Sequence, residues 1–185
     1  RIRRVLPLWQ IQSDMADLLC IGTTGMLAGC VRSLIADGHR IVCFARTPSR
    51  LEALADSIPD EAKSRLSTSP CDYRDLTHLA EVLDALRFEP TAAICWVHSS
   101  AEPVLELIRS GFPSLDLLRV VGSSTSIPEI SGDTPSRIVR LGFVIDDDRS
   151  RWLSHEEISA GVYKAFVSGA KDSIVGTIEP WDQRP

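Results

Sequence analysis

The chain has 185 residues, 44% of them hydrophobic and 24% charged, with a net charge of −5. That length suits one domain with a full hydrophobic core, and the acidic balance, with no basic run interleaved with aromatics, argues against a nucleic-acid surface. No apolar run reaches the roughly 18 residues of a membrane span, and no charged-then-apolar leader ends in a small-residue cleavage site, so a soluble, cytoplasmic protein with small-molecule partners is expected.

Residues 1–14 open with Arg1-Ile2-Arg3-Arg4 and precede Met15. They read as an extension or tag remnant ahead of a single domain over 15–185. The first predicted strand, Leu18-Leu19-Cys20-Ile21, runs into Gly22-Thr23-Thr24-Gly25-Met26-Leu27-Ala28-Gly29 and then into an amphipathic helix over 25–37 that stops at Gly38. Gly22 permits a sharp turn, Gly25 lets a ligand approach the backbone, and Gly29 lets the helix pack closely on the sheet. Free amides at the start of that helix suit the pyrophosphate of a dinucleotide. The strand before and the helix after are the context that gives such a glycine pattern meaning.

Residues 39–45 form the second predicted strand, and Thr47-Pro48 caps and opens a helix with Leu51, Leu54, Ala55 and Ile58 inward, ended by Pro59. A short third strand over 66–71 is weakened by Pro70, and Asp75 caps a helix to about residue 87 that turns Leu76, Leu79, Leu83 and Leu86 inward. The unbroken apolar run over 91–97 predicts a central strand buried on both faces, ending in His98-Ser99-Ser100. A helix over 102–110 leads to a fifth strand over 117–121, which opens into Gly122-Ser123-Ser124. Residues 138–144 form the sixth strand, Asp146-Asp147-Asp148 an exposed turn, and Ser154-x-x-Glu157 a capping box for a helix to Ser168. Residues 173–178 close the sheet as a seventh strand. The alternation predicts an α/β fold, a doubly wound, mostly parallel sheet with helices on both faces and right-handed crossovers.

The cysteines at 20, 30, 43, 71 and 95 form no C-x-x-C pair and read as reduced core residues. His39, His78, His98 and His155 show no metal-ligand spacing, so no metal is expected. His155, in the first turn of its helix, reads as solvent-facing. Trp96 and Trp152 read as packing residues.

On these residues the chain resembles the short-chain dehydrogenase/reductase superfamily over about 17–180, in reduced form, and so implies an NAD(P)-binding Rossmann fold. The glycine loop, with Gly22, Thr23, Thr24, Gly25, Met26 and Leu27, corresponds to the cofactor cradle. Ala45-Arg46-Thr47 stands after strand two, where an acidic residue binds a free ribose hydroxyl and an arginine accepts a 2′-phosphate. Arg46, helped by Thr47 and Arg50, implies NADP(H), because a guanidinium pairs bidentately with a phosphate. The alternative for Arg46 is a solvated residue at a helix start. Asp72-Tyr73 is similar to the segment whose acidic residue holds the adenine amino group; Asp72 equally suits a turn. His98, Ser99 and Ser100 would flank the nicotinamide, and Ser123 or Ser124 matches the position of the catalytic serine, though such serines also make plain turns. The Gly142-Phe143 segment resembles the strand-six backbone that contacts the nicotinamide amide.

One departure stands out. The superfamily's Y-x-x-x-K pair on the helix after strand five is absent, the tyrosines being Tyr73 and Tyr163, and the stretch between Ser126 and Arg137 is too short for that helix. The same helix forms the usual dimer interface, which puts that oligomer in doubt. His98 is then the candidate proton donor, since an imidazole changes charge near neutral pH, or it is a strand-end histidine held by backbone. The resemblance implies an NADP(H)-dependent oxidoreductase acting on a small carbonyl, alcohol or imine. A non-catalytic NADP(H)-binding sensor or accessory protein is the alternative, with isomerisation or dehydration on the same scaffold third.

Overall fold

The computed structural model describes residues 15–98, 102–124, 136–146 and 149–185. The elements run β1 (Asp17–Ile21), α1 (Ala28–Ala36), β2 (Arg40–Ala45), α2 (Pro48–Asp56), β3 (Leu66–Pro70), α3 (Leu76–Asp84), β4 (Ala92–Trp96), α4 (Glu102–Gly111), β5 (Asp116–Gly122), β6 (Ser136–Leu141), β7 (Phe143–Asp146), β8 (Arg149–Trp152), α5 (His155–Ser168) and β9 (Asp172–Val175). Seven strands form one sheet in the order β3-β2-β1-β4-β5-β6-β9, parallel throughout, and β7 and β8 make a separate antiparallel hairpin. This is the expected doubly wound α/β fold.

The central strands read as unbroken apolar runs because both faces are covered. On β1, Leu18 and Cys20 join a core with α1, α2 and α5, while Leu19 and Ile21 join one with α3 and α4. All five cysteines are unpaired and buried, and burial pushes the Cys30 and Cys95 thiols up to about 12. Pro70, which lacks an amide to donate, is tolerated because β3 is an edge strand and Pro70 its last residue.

Of the five crossovers that carry a described helix, four share one hand and one does not. The chain moves one way along the sheet through α1 and α2 on the first face and the other way through α3 and α4 on the second, which is one handedness throughout. The β6-to-β9 connection moves the second way but places α5 on the first face, packed against α1. Four right-handed connections therefore leave a left-handed one, against the uniform expectation. Its consequence is that α5 lies beside α1.

Several element boundaries differ from expectation. The first helix begins at Ala28, because Gly22 to Leu27 are spent turning out of β1. The sixth strand breaks at Gly142 and its second part pairs with β8, leaving the last strand of the sheet at Asp172–Val175. Leu76 is 39% exposed and does not join the buried stripe of α3, whose cap is Asp75 as expected, accepting from the His78 amide. Thr47 precedes Pro48 but makes no side-chain cap. No described helix is long and apolar enough to cross a membrane.

Candidate functional site

Parallel strands deliver their carboxyl ends, and the amino ends of the helices that follow, to one edge of the sheet. Between β1 and β4 the strand order reverses, and there a cavity of about 390 Å³ is lined by Gly22, Thr24, Gly25, Met26, Ala45, Arg46, Thr47, Arg50, Tyr73, Trp96, His98 and His155.

The glycine loop has a different geometry at each glycine. Gly22 adopts φ +74°, and a Cβ there would collide with the Trp96 carbonyl oxygen on β4. Its amide donates to Phe44 O at 3.2 Å, fixing the exit of β1 against β2. At Gly25 a Cβ would have nothing within 4 Å, so open space stands over the loop. The amides of Thr24, Gly25 and Met26 donate to no other described residue, and Leu27 at the cap position of α1 offers no side-chain acceptor. Free donors on three residues that line a cavity at a helix start suit an anion. Gly29 departs from expectation: its Cβ would lie 2.9 Å from Ser159 Cβ, so it admits α5 rather than the sheet.

Arg46, at the end of β2, and Arg50, in the first turn of α2, are exposed, and their side chains have neither hydrogen bond nor salt bridge among the described residues. Several other arginines are tied, Arg40 to Asp17, Arg74 to Asp72, Arg119 to Glu102, Arg137 to Asp116 and Arg151 to Glu157, whereas the buried Arg109 guanidinium also lacks a hydrogen-bond partner among the described residues. Two unpaired cations therefore border the same cavity as the free amides. This set fits a dinucleotide phosphate: an anion there would meet donors already unsatisfied, and Asp72, whose charge also acts on Arg46, is itself hydrogen-bonded to Arg74.

The remaining predicted residues divide into two groups. Tyr73 lines the cavity, but Asp72 does not; its carboxylate takes Arg74 Nε and Nη2 at 3.2 and 3.1 Å, which holds it below the usual carboxylate range. His98 is exposed at the cavity rim with its ring 6.2 Å from that of Trp96, which lines the cavity beside it. Thr23 is buried, its hydroxyl 3.6 Å from Cys43 Sγ, and Leu27 is a core residue. Ser123 and Ser124 follow β5 but do not line the cavity; the Ser123 carbonyl accepts from Arg140 at 3.4 Å. Gly142 and Phe143 donate their amides to Val175 O and Thr177 O, both at 2.9 Å, and Phe143 is fully buried. Ser99, Ser100 and the stretch between Ser126 and Ser136 lie outside the described residues.

Sequence reasoning missed His155. It reads as a solvent-facing residue from its place after the Ser154 cap, and it is exposed, yet α5 turns it into this cavity. Of the tyrosines, Tyr163 donates its hydroxyl to Asp37 at 2.7 Å, which pushes its ionisation up and fixes it between α5 and α1. A larger groove of about 510 Å³ lies between the carboxyl-terminal ends of α3 and α4, at the opposite edge of the sheet from the glycine loop. No group of three or more potential metal ligands comes together among the described residues.

No family model matches the sequence, and no curated protein matches it. Solved structures do match in shape. A bulky-bulky ketone specific alcohol dehydrogenase from Comamonas testosteroni aligns with TM-score 0.68 at 13% identity, over 92% of this chain and 90% of that one. A short-chain dehydrogenase/reductase from Vibrio parahaemolyticus aligns with TM-score 0.65 at 10% identity, over 86% of this chain and 98% of that one. The C-domain of a bacterial malonyl-CoA reductase, solved with NADP, aligns with TM-score 0.64 at 12% identity, over 87% of this chain and 36% of that one. At such identities what is shared is the fold.

Proposed function

From the fold of the short-chain dehydrogenases and reductases, which this chain has, we infer that it binds NADP(H) and transfers hydride to or from a small carbonyl, alcohol or imine. The observation that carries this reading is that the free amides of Thr24, Gly25 and Met26 and the unpaired Arg46 and Arg50 open on one cavity at the strand-order reversal. The amides hold the pyrophosphate, and Arg46, Thr47 and Arg50 hold the 2′-phosphate, with Tyr73 beside the adenosine. A bound nicotinamide supplies or accepts the hydride.

The chain's own residues then have two tasks at the other end. Trp96 and its neighbours keep water from the reacting carbon, and the His98 imidazole donates or takes the proton at the substrate oxygen or nitrogen. Ser123 and Ser124, which follow β5, are the candidates to steady the substrate.

A second reading, a non-catalytic NADP(H)-binding sensor or accessory protein, is favoured by one observation. The amides of Gly142 and Phe143 are committed to Val175 O and Thr177 O, so the backbone donors that the resemblance assigns to the nicotinamide are spent on structure.

Calorimetric titration tests the shared part. Arg46→Ala should weaken NADPH by about tenfold or more, the worth of a charge-assisted hydrogen bond at roughly 1.5–3 kcal/mol, and leave NADH within about twofold. Equal losses for both would overturn the 2′-phosphate assignment. NADPH oxidation with a carbonyl and imine panel, abolished by His98→Ala, separates enzyme from sensor.

A further inference from the structure

Resting on the NADP(H) reading, we propose that His155 forms the second wall of the phosphate cradle and contacts the phosphate on the nicotinamide side of the pyrophosphate. Helices α1 and α5 both start at the carboxyl edge of the parallel sheet and run side by side, because the left-handed crossover returned α5 to the face of α1. They meet where the missing side chain of Gly29 admits Ser159, and Ser159 Oγ donates to Met26 O at 2.7 Å.

Four residues before that contact in each segment lie Gly25, in the turn that leads into α1, and His155, the first residue of α5. His155 stands one helical turn before Ser159, whose hydroxyl bonds the loop at Met26 O, and it shares the cavity with Gly25, over which the space is open. Both residues line the cavity. Helix α2, with Arg50, lies over the β2–β3 side of α1, and α5 lies over the β6–β9 side. A dinucleotide anchored by its 2′-phosphate at Arg46 and Arg50 therefore crosses the glycine loop and reaches His155 with its farther phosphate. Ser159 acts as a positioning residue, fixing the Met26 carbonyl outward from the cradle and so aiming the neighbouring amides.

The test compares NADPH with adenosine 2′,5′-bisphosphate, which keeps the 2′-phosphate and lacks the second phosphate and the nicotinamide. His155→Ala should weaken NADPH by about fivefold and leave the bisphosphate within about twofold, whereas Arg46→Ala weakens both. His155→Gln, which keeps a donor, should recover most of the NADPH affinity. Because His155 is exposed, an unchanged melting temperature is expected for both His155 variants. Unchanged NADPH binding by His155→Ala, or equal loss of both ligands, overturns the assignment while the NADP(H) reading stands. A wild-type protein that binds neither ligand overturns that reading, and this one with it.

Discussion

Two glycines at the same edge of the sheet, Gly25 after β1 and Gly142 after β6, use their missing side chains in opposite ways. Over Gly25 there is open space and the neighbouring amides are free, so the gap is available to a ligand. At Gly142 a Cβ would collide with the Thr177 carbonyl oxygen, and the adjoining Phe143 exchanges hydrogen bonds with Thr177, so the chain itself fills the gap. A glycine at the end of a parallel strand thus signals a ligand only when nothing of the protein already occupies its approach. The strand end at Gly25 is open, and the one at Gly142 is closed by the chain itself.

Substitutions can break this contrast. Gly142→Ala should cost about 3 kcal/mol, since backbone must move and the Phe143–Thr177 pairing is lost, read as a drop in the chemical denaturation midpoint. Gly25→Ala should change stability by no more than about 0.5 kcal/mol and yet lower NADPH affinity about tenfold. If both variants behaved alike, the two strand ends would not differ as described. Between them stands Gly29→Ala, which presses on Ser159: a loss of about 1 to 3 kcal/mol is expected, with weaker NADPH binding because Ser159 holds Met26.

The smallest effect concerns the amino end of α5, where Arg151 and the Ser154 amide hold Glu157 down to about 2 from an ordinary 4.5. A carboxyl lowered on folding stabilises above its ordinary range, and that contribution fades as pH falls through about 2. The melting temperature of the wild type relative to Glu157→Gln should therefore shrink between about pH 4.5 and 2 and stay constant above. A difference independent of pH across that window would mean the capping box is not formed in solution.

What was legible in the sequence was local. The strand–glycine–helix signature, the Asp75 cap, the Ser154/Glu157 capping box and the doubly apolar central strands each depend on residues within a few positions of one another, so periodicity and turn chemistry expose them. The place of Arg46 at the cavity was legible because it directly follows its strand, and strand ends lie along the carboxyl edge of a parallel sheet. His155 and Ser159 were not. They stand 130 residues and more from the loop they meet, and nothing local to them says that α5 crosses left-handedly to lie beside α1.

Gly142 and Phe143 illustrate the same division. Their sequence resembles a cofactor-contacting segment, but whether those amides face a ligand or the chain depends on where Thr177 comes to rest. The sequence by itself determined the sheet, its layered helices and the glycine loop, because short-range sterics and hydrophobic periodicity dictate them. Tertiary structure alone decided which side chains share the cavity, because that depends on the hand of one crossover and on which faces of distant helices come into contact.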